Sequence, residues 1–182
     1  MESLIRQLEE AGIADDTVIV ISPDHYPYAL ERSATWGNAE NYLTELYGVT
    51  EMDRFTRDSN ALIIWSGCLE DKNLKVETPV YSLDILPTLS NLFGLNYDSR
   101  LLVGRDVFSD TEPLVLWPEY SWKTDKGTYD SGSRTFTPAE GVEVDDSYVD
   151  RIKAIVSNKI SYSREVQNLK YFQVLSDFLN GK

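Results

Sequence analysis

The sequence predicts an α/β fold: a mostly parallel sheet flanked by helices, then a small antiparallel sheet and carboxy-terminal helices. Three observations predict it. Two short apolar runs, Thr17–Ser22 and Asn60–Trp65, have the unbroken, β-branched character of strands buried on both faces. Helical periodicity at Glu2–Ala11 and Ser82–Phe93 alternates with them, as in α/β units. Ser121–Pro138, rich in Thr, Ser, Gly and aromatics, has the punctuation of short hairpins.

Taken in order, Leu4, Ile5, Leu8 and Ala11 fall on one face of the first helix, opposite Arg6, Gln7, Glu9 and Glu10, and Gly12 is placed to cap it. After the strand Thr17–Ser22, Pro23 ends regular structure and residues through Asn38 read as loop. Ala39–Tyr47 reads as a short helix ending at Gly48, and Glu51–Asp58 as another, with Thr50 as N-cap and Asp53 at the capping-box position. Leu69–Glu77 is a polar surface loop. In Ser82–Phe93 the residues Leu83, Leu86, Leu89, Leu92 and Phe93 make an amphipathic helix with Pro87 in its first turn and Gly94 closing it. Pro113–Trp117 reads as a strand, with turns at Lys126-Gly127 and Ser131-Gly132. Asp146–Leu179 is helical: one stripe holds Val149, Ile152, Ile155, Val156 and Ile160, a second Leu169, Phe172, Val174, Leu175 and Phe178, and Ser161-Tyr162-Ser163 is the expected divide. No repeat and no long linker splits the chain. Residues 1–141 form the main segment, and 142–182 a helical extension packed on it.

The 182 residues are 42% hydrophobic, enough for a core. Acidic residues outnumber basic ones by 30 to 17, a formal charge of −13, and up to Gly141 the ratio is 24 to 11. With no concentrated basic face, nothing in the composition points to nucleic acid or an anionic membrane as a partner. No apolar run approaches the roughly 18–20 residues of a bilayer span, and the amino terminus lacks the pattern of a signal peptide, so the chain itself is expected to be soluble. The single cysteine, Cys68, excludes an internal disulfide and ends an apolar run, where it reads as a partly buried small hydrophobe.

Asp24-His25 is the most informative pair. Ligands of open α/β sheets gather beyond the carboxyl ends of strands, and this pair follows one directly. A carboxylate and the chain's only imidazole offer an oxygen and a nitrogen to a divalent cation. Two ligands are too few for a tight site; Glu31 and Glu40 are neighbouring acids that could add oxygens. On the residues alone, a structural or solvent-exposed pair carries the greater weight, and both readings stand. There is no Gly-x-Ser-x-Gly elbow, no Gly-rich phosphate loop and no triad. Tyr26, Tyr28, Trp36, Tyr42 and Tyr47 read as packing under a loop, or else as the lining of a sugar or headgroup groove. Trp117, Tyr120 and Trp122 read mostly as core or edge cover of the small sheet.

Several segments, in order, resemble the lipoteichoic acid synthases and related sulfatases. These are Thr17–Tyr26, with its strand-then-Asp-His pattern, Asn60–Ser66, the Asp-Ile-Leu-Pro-Thr segment within Ser82–Leu95, the Gly-Arg-Asp element within Leu102–Phe108, and Trp122–Gly127. In order and spacing the resemblance runs roughly from Glu2 to Pro138, about three quarters of the chain, and is to the carboxy-terminal part of the family's catalytic domain. The resemblance implies a partial alkaline-phosphatase-like fold and a membrane-anchored parent with its catalytic domain outside the cell. In that family a threonine bound to a divalent metal, usually manganese, attacks phosphatidylglycerol, and the glycerophosphoryl group passes to a growing chain. Residue by residue, Asp24 and His25 carry over as metal ligands, for Mn²⁺ with Zn²⁺, Ca²⁺ or Mg²⁺ as alternatives. The nucleophile, a further acidic ligand and the substrate-binding residues precede the matched region.

The resemblance therefore implies a chain inactive alone. Its partners would be the missing amino-terminal half of the domain and an anionic lipid or a phospho- or sulfo-ester, with self-association through an exposed edge. Pro23 stands where many relatives have Gly, and Ala29–Asn38 shows no match. Asp84 is expected to brace its helix, and Arg105 with Asp106 to form a structural pair. Rival readings are a sulfatase or phosphoethanolamine transferase fragment, and a non-catalytic binding or interaction module.

Overall fold

A computed structural model describes residues 1–25, 42–50, 52–72 and 74–181. The chain forms two compact units, Met1–Lys75 and Val76–Lys182.

In the first unit, helix α1 spans Glu2–Glu10. It ends as the sequence indicates: Gly12 takes φ 69°, and the amides of Gly12 and Ile13 bond back to Glu9 and Leu8. Strand β1, Val18–Ile21, follows. Helix α2, Tyr42–Tyr47, ends at Gly48 with φ 67°. Helix α3 is a single turn, Arg54–Arg57, capped by Asp53 and not by Thr50. The Asp53 carboxylate accepts from the amides of Phe55 and Thr56 at 2.8 and 3.0 Å and from the Thr56 hydroxyl. A carboxylate satisfies two orphan donors at once, which explains why it wins the cap.

Strand β2, Ile63–Ser66, pairs with β1 antiparallel, with Val18 opposite Ser66 and Ile21 opposite Ile63. The expected mostly parallel sheet is not seen among the described residues, and β1 is half-buried at most. An unbroken apolar run reports that both faces are apolar. It carries no information on the direction of the neighbouring strand, which the connections decide. Gly67 closes the pair: a Cβ there would meet the Asp15 carboxylate at 2.5 Å, and its amide donates to the Ala14 carbonyl. Cys68, in the 3₁₀ turn Gly67–Lys72, is exposed and not partly buried, its Sγ 3.3 Å from Ser66 Oγ.

The second unit opens with a 3₁₀ turn, Ser82–Asp84, continuing into helix α4, Ile85–Leu92. Pro87 lies in the first turn, where its missing N–H costs nothing. A four-stranded antiparallel sheet follows in the order β3 (Val115–Leu116), β4 (Trp122–Thr124), β5 (Gly127–Asp130), β6 (Thr135–Pro138), as the hairpin punctuation predicts. Helix α5, Asp146–Asn168, is capped by the Asp145 carboxylate on the Tyr148 amide and lies on this sheet. Between them sits the core: Trp122, Tyr129, Tyr148, Ile152 and Val156, flanked by Val149, Ile155, Ile160 and Phe136. Trp122 is fully buried, stacked 5.5 Å from Tyr129 and edge-on to Tyr148. The first predicted stripe of the helical extension is thus the core face of α5.

The second stripe behaves otherwise. The helix breaks at Lys170 (φ 48°) and not at Ser161–Ser163, giving α6, Tyr171–Leu179. Each serine costs a helix only a few tenths of a kcal/mol, roughly, so the Ile155–Ile160 contacts carry α5 through them. Leu169, which caps the end of α5, and Phe172, Val174 and Phe178 of α6 remain exposed. No helix among the described residues is long and apolar enough to cross a membrane.

Candidate functional site

Asp24 and His25 directly follow the Ser22-Pro23 exit from β1. Pro23 cannot extend the ladder, so the chain turns out of the sheet and both side chains reach solvent. Their side chains are 92% and 52% exposed, and His25 Nε2 lies 3.5 Å from Asp24 Oδ1. Two ligands about 2.1 Å from one cation at a tetrahedral angle stand about 3.4 Å apart. The two donors therefore have the separation of adjacent ligands. Among the described residues, no group of three or more His, Cys, Asp or Glu side chains gathers as a metal site. Glu31 and Glu40, with Tyr26, Tyr28 and Trp36, lie outside the described residues. Tyr47 is used structurally, its hydroxyl donating to the Ser59 carbonyl at 3.2 Å.

A second cluster, in the other unit, is built for rigidity. Asp84 is 1% exposed and accepts from the Arg105 amide at 2.8 Å and the Tyr81 amide at 3.2 Å. Burial raises its carboxyl above the usual range, opposed by those two amides and by the charges of Arg105 and Lys159. Thr88 donates to the Asp84 carbonyl at 2.6 Å and accepts from the Val107 amide at 3.1 Å, so α4 is laced to the Gly104–Val107 segment. Asn91 adds a bond to the Asp106 carboxylate at 2.8 Å. Arg105 donates to the carbonyls of Asp106 and Val107 and to the Thr78 hydroxyl, not to the Asp106 carboxylate. Both residues are structural: the Arg105 guanidinium bonds the Asp106 carbonyl, while the Asp106 carboxylate is held by Asn91 and the Phe108 amide.

Lys159 is the member of this cluster that the sequence reading missed. From α5 it donates to the Val103 carbonyl, and burial lowers its pKa. The signal was present: Lys159 is three residues past Val156 and seven past Ile152, so it lies on the core stripe. Trp117 and Tyr120 flank the β3–β4 turn, with Tyr120 at φ 71° and exposed, while Trp122 is core.

The chain is 24% identical over 174 residues to lipoteichoic acid synthase 2 of Bacillus subtilis (strain 168), covering 92% of this chain. It is 27% identical over 121 residues to the lipoteichoic acid synthase of Staphylococcus saprophyticus, covering 63%. Its curated relatives are lipoteichoic acid synthases. The resemblance carried by the Asp-His, Asp-Ile-Leu-Pro-Thr and Gly-Arg-Asp segments is thereby borne out. The chain spans 25% of the length of the Bacillus synthase and 17% of the Staphylococcus one. No family model matches it.

Proposed function

We propose that this chain is part of an extracellular, metal-dependent phosphoglycerol transferase of the lipoteichoic acid synthase type. In this reading Asp24 and His25 supply two ligands of its divalent cation. The observation that carries the reading is the similarity to a lipoteichoic acid synthase along 92% of the chain. The 3.5 Å donor separation at the end of β1 supports the role of the pair. A cation bound there supplies charge neutralisation at a phosphoryl oxygen and a lowered pKa for an attacking hydroxyl. Asp24 and His25 hold and orient it, while Pro23 keeps them clear of the sheet. The nucleophile and remaining ligands come from polypeptide outside these residues, so the chain alone has no transferase activity. Manganese is the preferred ion in this proposal, and the parent enzyme is anchored to the membrane with this part outside.

Calorimetric titration with Mn²⁺ tests it. The chain is expected to bind weakly, and Asp24→Ala and His25→Ala each to abolish the heat. Binding that both variants retain, or none in the unmodified chain, overturns the metal role.

A further inference from the structure

We draw no further inference here: the strongest candidate, the exposed tip of the β3–β4 turn where Tyr120 holds φ 71°, carries none because nothing among the described residues shows what covers that tip or which ligand it would meet.

Discussion

Gly104 packs so closely against the Leu83 carbonyl that a Cβ would lie inside the contact distance of its oxygen. The backbone of one segment is thereby pressed onto the turn that starts α4, and Asp84 caps the contact with its Arg105 and Tyr81 bonds. Gly104→Ala is expected to destabilise the chain by about 3 kcal/mol, the upper range of overpacking, read from urea denaturation. Asp84→Ala strands two backbone donors and should cost about 2–4 kcal/mol in the same assay. The pH dependence at Asp84 runs opposite to that of a salt-bridged carboxylate. Its folded pKa is raised by burial, so above the ordinary value of 3.8 the folded state holds a proton that the unfolded state has released. Its contribution to stability therefore falls as pH rises from 3.8 through the folded value. Asp84→Asn should erase that decline, and an unchanged slope in denaturation midpoint against pH would refute it. The brace at Asp84 was legible because an acid opening an apolar helical pattern is a capping signal. Its partner amide, 21 residues away, was not.

Among the elements, α5 and α6 show the same apolar lettering with opposite fates. Ile152 and Val156 are each 1% exposed against Trp122 and Tyr148, whereas Phe178 is 78% exposed. Ile152→Ala is expected to cost about 2–4 kcal/mol in urea denaturation, as a large-to-small change in a packed core. Phe178→Ser should change stability by less than about 0.5 kcal/mol. Comparable losses at both positions would show that α6 has a covering contact. Periodicity locates a stripe without saying whether a partner layer faces it, and here only α5 meets the sheet. The same gap explains the sheet direction. The runs around Val18–Ile21 and Ile63–Ser66 announce strands, yet their antiparallel pairing follows from how the chain returns.

At the scale of the whole molecule, the excess of acid lies in the residues up to Gly141, while Val142–Lys182 balances six against six. Self-repulsion among the acids opposes compaction, and salt screens it: the Debye length falls from about 30 Å to about 8 Å between 0.01 and 0.15 M. The thermal midpoint is therefore expected to rise over that range by calorimetry, and a flat or falling midpoint would show that local pairing has already neutralised the field. Glu112 is one such local pair, bonded to Arg151 at 2.9 Å with Lys126 at 3.7 Å.

The sequence by itself determined that the chain has helices and short strands, where most of them lie, which stripe of α5 is core, and that Asp24-His25 follows a strand exit. These are local properties: periodicity, caps and turn residues act within a few positions of each other. Only the tertiary structure decided that β1 and β2 run antiparallel, that Lys159 joins the Asp84 cluster and that α4 buries its polar side. Each depends on contacts between residues far apart in the chain, and the free energy of such a contact is set by what arrives opposite it.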